Sequence, residues 1–500
     1  MKNPLGFLFS KEENDEHVSN RQLLTYATGA TGQAITGGFI TGRINFFYEN
    51  HVVTGKNSHY VGKIMTLSII WDAINDILVG NFVDRREHKP YQKMKPYLTY
   101  VPPFIGGLSI AMFLAGFEND IFNLIFLIAT YFFWDLLYSF EEVGIWGMLA
   151  LSSPHSHERA RVTQWVSIGA GLGGYVPKLF PTFWDMLKNV GMKERYIFVL
   201  FACIFGIGGQ LMARRASKFH ERVEVPVQKK EGENFFKSLS VLRHNPTLIL
   251  IGLAKTIHEA YPRIDRTYFY RSQFNDNPRF KGGTAETLYD TLSSIPGACS
   301  VFFANKLIDK FGGMKRYLLI SQVAIIGARI VAYFVGIIPG WEYNTFRGFL
   351  IMCIIIGVSS GFTSFMDIAH RSLINDSVDE VELKTGLRTE GLSSSMLSFF
   401  QKITNSISAL IKNFTLYNFL GYKAISDNAD YNVAHQSAKF YKWQYPIFML
   451  APIIGEALYM LVIAFVNDDK EYKAQVEAAL AERRAKLAEK TMEEEKVPEK

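Results

Sequence analysis

The chain has 500 residues, of which 48% are hydrophobic and 14% aromatic, and its formal net charge at pH 7 is +6. A soluble chain of this length is expected to divide into several domains. Here the charges cluster between apolar stretches of about 20 residues, the length of helix that spans a bilayer. These features predict an all-α membrane protein, and we interpret the basic excess as a mark of membrane orientation, with no nucleic-acid partner.

About twelve apolar stretches follow one another along the chain, which predicts twelve transmembrane helices. They cover residues 23–48, 61–83, 97–117, 121–151, 162–187, 196–213, 246–270, 288–308, 317–338, 349–365, 392–419 and 445–466. We expect a cytoplasmic N-terminus, a six-helix half, a cytoplasmic central loop, a second six-helix half and a charged cytoplasmic tail, at residues 1–20, 21–213, 214–245, 246–466 and 467–500.

Lysine and arginine are distributed unevenly among the connecting loops. The loops after the second, fourth, sixth and eighth stretches are basic, whereas residues 118–120, after the third, include no lysine or arginine. Under the positive-inside rule this asymmetry places both termini in the cytoplasm. Residues 1–20 lack an apolar core of the signal-peptide type, so no cleaved leader is expected in this multi-pass protein of the cell membrane.

Small residues mark the first and fifth stretches. Because glycine lets two helices approach closely, we expect the fifth stretch, with Gly169, Gly171, Gly173 and Gly174, to be a close-packing helix. Arg43 is the exception in the first stretch. Its side chain either reaches back to the membrane interface or faces an internal cavity, and the sequence favours neither interpretation.

Two carboxylates stand in the second stretch. Asp72 and Asp76 are four residues apart, which places them on one face of a helix, and mostly apolar residues precede them. On insertion scales each costs roughly 2.5–3.5 kcal/mol in a membrane, a cost that is tolerated when the group faces a water-filled cavity and binds something positive. We therefore predict a cation site here. The alternative is a helix-end pair that forms salt bridges with nearby bases.

The junction that follows the second stretch has a counterpart in the second half of the chain. Asp84 and Arg85 precede a basic loop, and Asp309 precedes Lys310 in the same arrangement of span, acid and basic turn. Each acid can pair with a base across a cytoplasmic gate. The recurrence predicts two related halves, a plan common in transporters whose substrate site lies near the membrane midplane.

The fourth stretch places Glu142 and Trp146 at positions i and i+4, on one face of a helix. A carboxylate accepts hydrogen bonds from sugar hydroxyls, and an indole stacks on the apolar face of a sugar ring, so this pair predicts a sugar contact. The alternative is a tryptophan at the membrane interface beside a solvated glutamate.

The seventh stretch is unusually polar. It contains Lys255, His258, Glu259 and Arg263, and we expect some of these residues to pair with one another. Neither His258 nor the three cysteines show a metal-ligand spacing, so the sequence predicts no cofactor apart from a coupling cation, Na⁺ or H⁺.

Residues 375–391, after the tenth stretch, are densely charged and are expected to form a cytoplasmic turn. Within it we predict a gate-closing network of Asp376, Asp379, Glu382, Arg388 and Glu390. The alternative is a solvated loop.

Lys402 lies between Phe400 and Ile403 in the eleventh stretch. An ionisable residue inside a membrane span is a functional candidate by default, and we predict that its partners are acids of the second or fourth stretch. The alternative is that its ammonium group reaches the nearer interface.

Three stretches resemble the glycoside–pentoside–hexuronide:cation symporters, the melibiose permease-like branch of the major facilitator superfamily. They are Trp71-Asp72-Ala73-Ile74-Asn75-Asp76, Lys93-Met94-Lys95-Pro96-Tyr97, and Asp376-x-x-Asp379-x-x-Glu382-x-x-x-Gly386-x-Arg388-x-Glu390. The resemblance covers roughly residues 21–466. It implies the major facilitator fold and cation-coupled sugar transport.

The resemblance also implies roles for single residues. Asp72 and Asp76 match the cation-site pair of the family. Glu142 and Trp146 match its sugar-binding acid and its sugar-stacking tryptophan, and Lys402 looks like a lysine that lies close to both sites.

Two sugar-binding positions depart from the family pattern. The first-helix acid is absent, and Gln33 stands in its neighbourhood. The fifth-helix arginine is also absent, and Gln164 and Ser167 are the polar residues nearest its place. The cation site therefore looks kept, whereas the sugar site is changed.

Together these observations predict a secondary active transporter in the lipid bilayer that couples a cation to the symport of a sugar or glycoside. Arg43 and Arg329 would suit an anionic substrate such as a hexuronide if they face the cavity. A lysolipid carrier of the same fold is the alternative. An enzyme is not expected, because the sequence shows no nucleophile–base pair, metal motif or phosphate loop.

Overall fold

The computed structural model describes residues 17–53, 57–153, 156–223, 245–274, 280–300, 310–311, 313–385, 390–426 and 428–468, with a few positions between 475 and 482. Most of the predicted tail therefore lies outside the described residues, as do residues 224–244 of the predicted central loop. The described chain is built from helices joined by short connections.

Nine of the described α-helices precede residue 214. They are α1 Asn20–Phe47, α2 Ser58–Arg85, α3 Lys95–Tyr100, α4 Pro102–Leu114, α5 Asp120–Leu151, α6 Ser156–Tyr175, α7 Phe180–Asn189, α8 Glu194–Phe201 and α9 Gly209–Ala213. A π-helix, Tyr48–Val52, continues α1, and a second, Ala202–Gly208, connects α8 with α9.

The described helices after residue 245 are α10 Pro246–His258, α11 Arg266–Phe274, α12 Gly282–Ser300, α13 Met314–Val335, α14 Phe346–Thr385, α15 Glu390–Asn413, α16 Ala429–Ala434 and α17 Ala438–Ile463. A third π-helix, Phe414–Phe419, continues α15.

Five of the described helical segments are long and apolar enough to cross a membrane. They are Asp120–Leu151, Glu194–Lys218, Met314–Val335, Phe346–Thr363 and Ala438–Ile463. Two shorter apolar helices are Pro102–Leu114 and Pro246–His258. The remaining predicted spans carry more polar residues or are broken.

Proline accounts for two of these breaks. Pro102 and Pro103 stand at the start of α4, where their missing N–H groups cost least, and they separate α4 from α3 within the predicted third span. In the predicted seventh span α10 ends at His258, and Pro262 follows in the connection to α11. The residue before a proline avoids the helical region, which favours an ending here.

One expectation about local structure is wrong. The stretch 375–391 is predicted as a turn, but α14 continues through it to Thr385, so Asp376, Asp379 and Glu382 lie on a helix. Its charged residues recur at helical spacing, and a helix that leaves the apolar region continues readily when its residues favour the helical conformation.

The chain packs into two compact units. The first unit comprises the described residues within Met1–Lys230, Asp265–Leu288 and Leu416–Tyr441, and the second those within Glu231–Ile264, Tyr289–Thr415 and Lys442–Lys500. Two segments from the second half of the sequence therefore pack with the helices of the first half.

Close packing of α6 against α1 is confirmed. A Cβ atom added to Gly169 would lie 2.3 Å from the Ala27 carbonyl oxygen, and one added to Gly173 would lie 2.3 Å from that of Thr31. The Thr31 hydroxyl also donates to the Gly169 carbonyl at 2.9 Å. Glycine is required at these two positions because backbone lies where a side chain would be.

Candidate functional site

The two predicted cation ligands lie on the inward side of α2. Asp72 and Asp76 are both partly buried. An apolar stripe runs along the same helix, each member at least half exposed: Leu67, Ile70, Ile74, Leu78 and Phe82. At 3.6 residues per turn, the two aspartates lie on the side of α2 opposite to this stripe. The stripe suits contact with lipid, and the carboxylates therefore point away from it.

The flank of α2 between the apolar stripe and the aspartates packs against α5. Asn75, which is fully buried, donates from Nδ2 to Ser139 Oγ at 3.0 Å. Trp71 donates from Nε1 to the Phe132 carbonyl oxygen at 3.2 Å, and its ring stacks on that of Phe132 with centroids 5.6 Å apart. These contacts fix the rotation of α2 relative to α5.

A third carboxylate belongs to the same region. Asp135 on α5 is 8% exposed, and both Asp72 and Asp135 lie close enough to the Tyr131 hydroxyl to act on it electrostatically. Together with Asn75 and Ser139, these groups gather several oxygen atoms within the α2–α5 region. Carboxylate, amide and hydroxyl oxygens are the ligands that hard cations prefer.

The predicted sugar contacts lie further along α5. Glu142 is exposed and Trp146 is 40% exposed, so both side chains are accessible on one face of the helix. Gln164 on α6 is exposed as well. The adjacent Glu141, by contrast, is fully buried and accepts a hydrogen bond from Gln210 Nε2 at 3.2 Å.

Arg43 has a specific partner. Its guanidinium is buried in the first unit, 3.0 Å from Glu286 Oε1, and it donates to Thr267 Oγ1 at 2.8 Å. The Thr267 hydroxyl donates to the same glutamate oxygen at 3.0 Å. The sequence left open whether Arg43 reaches the membrane interface or faces a cavity. In the structure its side chain forms a buried ion pair. The substrate contact predicted for Arg43 stays a prediction.

A second set of ion pairs surrounds Arg271 in the same unit. The Arg271 side chain is 2% exposed, donates to Asp185 at 3.1 Å and to Asp430 at 2.9 Å, and lies over the Trp184 ring at 3.3 Å from its centroid. Lys188 reaches Asp430 at 2.5 Å. These pairs attach α11 and the segment around α16 to α7.

The pKa of Asp430 reflects this surrounding. Burial by itself raises the pKa of a carboxyl group, but the positive charges of Arg271 and Lys188 and their hydrogen bonds outweigh burial. The net result lowers the pKa of Asp430 to about 2. The carboxylate is therefore held in its charged form at neutral pH.

The second unit contains a partly open pocket of about 210 Å³ that the sequence did not predict. Its lining residues come from α10, α14, α15 and α17: Lys255, His258, Glu259, Thr363, Met366, His370, Gln401, Thr404 and Tyr459. Lys255, His258 and Glu259 of the predicted seventh span thus line this pocket together with groups from three other helices.

His258 is held at this cavity by two carboxylates. Its Nε2 atom lies 2.8 Å from Glu456 and its Nδ1 atom 3.2 Å from Glu259, which also pairs with Arg263 at 2.5 Å. A neutral imidazole has a single N–H, so both contacts are hydrogen bonds at once only in the doubly protonated form. The expected pairing within the seventh span is confirmed for Glu259, whereas Glu456 lies on α17.

Several predicted gating residues lie wholly or partly outside the described residues. Asp309 and Arg388 are not described. For Asp84, Arg85, Asp376, Asp379 and Glu382 the structure gives helical backbone only. Lys402 is described: it lies on α15 in the second unit and is partly buried. Its pairing with acids of α2 or α5, which belong to the first unit, stays a prediction.

Asp135 and Asn75 were not predicted as site residues, although the sequence contains features that could have identified them. Asp135 is an acid within an apolar span, and the argument that singled out Asp72 applies to it equally. Asn75 lies between the two aspartates, one turn from Asp72. The ion pair between Arg43 and Glu286 could not be identified from the sequence in this way, because the two residues are far apart in the chain.

Curated relatives align with nearly the whole chain. An uncharacterized symporter, YjmB, of Bacillus subtilis (strain 168) is 25% identical over 462 residues, 91% of this chain and 93% of the relative. A putative sulfoquinovose importer of Escherichia coli (strain K12) is 22% identical over 92% of this chain and 96% of the relative. A lactose permease of Lactobacillus delbrueckii is 22% identical over 77% of this chain and 61% of the permease.

Solved structures support the fold. The nucleoside transporter NupG superposes with a TM-score of 0.52 at 14% identity and covers 89% of this chain and 99% of its own. The inward-open xylose transporter XylE from E. coli gives a TM-score of 0.52 at 12% identity, covering 91% and 98%. At such identities the likeness concerns the fold alone.

A family description matches almost the entire helical region. The model of the family described as MFS/sugar transport protein matches residues 25–469, a span that begins within the first two turns of α1 and extends past the end of α17. The chain therefore belongs to the sugar transport family of the major facilitator superfamily, a family of multi-pass membrane transporters.

Proposed function

We propose that the chain is a cation-coupled symporter of a sugar or glycoside. The coupling cation, Na⁺ or H⁺, binds at Asp72 and Asp76. Both termini lie in the cytoplasm, as the distribution of basic loops predicts. The relatives named as a lactose permease, a raffinose carrier protein and a putative sulfoquinovose importer support a sugar cargo over a lysolipid.

The observation that carries the cation site is the orientation of α2. Its two aspartates face away from the exposed apolar stripe, and Asn75, on the adjacent flank of the helix, bonds to Ser139 of α5. A carboxylate that avoids lipid and shares its region with further oxygen ligands has the surroundings that a hard cation requires. The neighbouring Asp135 adds negative charge that a bound cation would offset.

The sugar site proposed for this chain includes Glu142 and Trp146. Both are accessible on one face of α5, the helix that also carries Asp135. Gln164 of α6 completes the first unit's part of this proposal. A sugar held by these groups is bound by hydroxyl contacts to the carboxylate and by stacking on the indole.

Coupling follows from electrostatics. An empty cation site leaves several carboxylates near one another, and a bound cation reduces their repulsion. The loaded site then favours the arrangement of α2 and α5 that binds sugar. By thermodynamic linkage the sugar strengthens cation binding by the same factor. The loaded carrier rocks its two six-helix halves, residues 21–213 and 246–466, about the substrate.

Uptake into cells that express the chain tests the proposal. A panel of radiolabelled lactose, raffinose, glucuronate and sulfoquinovose is offered with and without Na⁺ at two pH values. For the sugar taken up by the wild type, we expect Asp72→Asn and Asp76→Asn to abolish accumulation against a gradient. Facilitated movement of the sugar down its own concentration gradient should persist in both variants, because the sugar ligands are unchanged.

Glu118→Gln is the matched control, since Glu118 is an exposed acid in the connection between α4 and α5. It removes one carboxylate without touching the α2–α5 region, and we expect its uptake to equal that of the wild type. Full accumulation by Asp72→Asn or Asp76→Asn, at wild-type expression, would refute the cation assignment.

A further inference from the structure

Glu141 is a buried acid that the proposed cation and sugar sites do not use. It lies on α5 beside Glu142 and is fully buried, whereas Glu142 is exposed. Its hydrogen-bond partner is the neutral amide of Gln210 on α9, which donates from Nε2 at 3.2 Å. Gln210 is itself 2% exposed.

This contact contains more acceptors than donors. Oε1 of Glu141 and Oε1 of Gln210 are both buried, and neither has a hydrogen-bond partner among the described residues. A buried oxygen of this kind is rare in folded proteins and calls for an explanation. An ionised carboxylate can only accept hydrogen bonds, whereas a protonated carboxyl group also donates one. One proton on Glu141 therefore supplies the donor that this contact lacks.

The surrounding charges also disfavour an ionised Glu141. The titratable groups that act with it electrostatically are Glu142 and Tyr138, both on α5, and α9 contributes the neutral Gln210. Within the described residues, no lysine, arginine or histidine forms an ion pair with this carboxyl group. A charge that is buried without a partner is unfavourable, and a nearby carboxylate adds repulsion.

The element that faces Glu141 is irregular. Gln210 lies at the start of α9, directly after the π-helix Ala202–Gly208. The Thr36 hydroxyl of α1 donates to the Phe205 carbonyl of this π-helix at 2.8 Å. A π-helical segment is often found at functional positions. The partner of Glu141 therefore stands next to a segment of a kind that is frequent at functional sites.

We propose that Glu141 is a proton-binding site: it holds a proton in this conformation and exchanges it with water when the α5–α9 contact opens during transport. This site is separate from the cation pair on α2. The exchange during transport rests on the proposed symport function, whereas the bound proton does not. A carrier of this kind moves a proton together with its substrate, whichever ion occupies the α2 site.

Infrared spectroscopy of the purified full-length protein, without any sugar, tests the bound proton. A protonated carboxyl group in an apolar site has a carbonyl stretching band separate from that of an ionised carboxylate. We expect such a band at neutral pH in the wild type and in Glu142→Gln, and its loss in Glu141→Gln. A spectrum unchanged by Glu141→Gln overturns the proposal.

Chemical labelling provides a test that needs no variant. Dicyclohexylcarbodiimide reacts with protonated carboxyl groups in apolar surroundings. We expect peptide mapping of the labelled wild type to place the adduct on Glu141 at neutral pH, with less label at alkaline pH. Labelling that spares Glu141 at every pH overturns the bound proton.

Proton movement during uptake tests the exchange. Lightly buffered vesicles that contain the protein are given a sugar from the panel, and the external pH is followed. We expect alkalinisation with the wild type and with Glu118→Gln, and at least a fivefold smaller signal with Glu141→Gln. An equal signal from Glu141→Gln, or sugar uptake by the wild type without proton movement, overturns the exchange. Absence of any sugar uptake counts against the symport function instead, and leaves the spectroscopic result to stand.

Discussion

At the scale of single residues, buried charges are held by partners from distant parts of the chain. Arg43 lies in an apolar helix, where an unpaired guanidinium would be costly, and Glu286 offsets its charge at 3.0 Å. Thr267 bonds to both members of the pair and satisfies further hydrogen-bonding capacity. The ion pair thus connects α1 to the first turns of α11 and α12.

We expect Arg43→Met and Glu286→Gln each to destabilise the protein by about 3–5 kcal/mol, because each leaves one buried charge or its polar partners uncompensated. The double variant Arg43→Met/Glu286→Gln should lose much less than the sum of the two. Thermal unfolding of the purified protein in detergent measures all three. Strictly additive losses in the double variant would contradict a direct pairing of the two side chains.

At the scale of elements, α1 and α6 are fitted together through glycine. The backbone of α1 lies against Gly169 and Gly173, whereas Gly171 and Gly174 on the same helix border open space. The four glycines look equivalent in the sequence. The structure separates them into two that the packing requires and two that it tolerates.

Gly169→Ala is therefore expected to destabilise the first unit by about 1–3 kcal/mol, since the added methyl group meets the Ala27 carbonyl and forces the helices apart. Gly171→Ala, on the same helix, is the matched control. It should be neutral or slightly stabilising, because alanine favours the helix. Equal melting temperatures for the two variants would show that the α1–α6 contact is looser than described.

The segment around α16 depends on charge. Because Asp430 has a pKa of about 2 in place of the usual 3.8, its ion pairs contribute about 2 kcal/mol to folding at neutral pH. A lowered pKa means that this contribution is present above the ordinary value and is lost as the pH falls through 2. We expect Asp430→Asn to be less stable by about that amount at pH 7.

The difference between Asp430→Asn and the wild type should shrink as the pH is lowered from 3.8 towards 2, where the wild-type carboxylate takes up its proton. Denaturation curves recorded for both proteins across this range follow the difference. A difference that stays constant with pH would mean that Asp430 acts through its shape and not through its charge.

At the scale of the whole molecule, apolar length predicted membrane-spanning helices, the family resemblance implied the transporter fold, and local chemistry decided where the helices break. The predicted fourth span agrees with α5 to within one residue at each end. The third and seventh are interrupted beside Pro102 and Pro262, and α14 runs on to Thr385 through residues expected to turn. Hydropathy marks where a chain can lie in lipid, but helix ends follow from proline and backbone preferences.

The candidate site was predicted where its residues share one helix. Spacing alone places Asp72 and Asp76 on one face of a helix, and Glu142 and Trp146 on one face of another. In the structure each pair lies on a single face of its helix, α2 or α5. Contacts that join separate helices, such as the cavity around His258 with Glu456, could not be predicted from one sequence. Such contacts depend on which helices pack against one another, and the sequence of a single chain does not specify this packing directly.

Linkage between cation and sugar is the central claim, and equilibrium binding measures it most directly. Calorimetric titration of the purified protein with the transported sugar, with and without Na⁺ and at two pH values, should show binding strengthened about 5- to 150-fold by the coupling cation. Asp72→Asn should bind the sugar with an affinity that no longer responds to the cation. A wild type indifferent to both Na⁺ and pH, or an Asp72→Asn variant with unchanged linkage, would contradict the account.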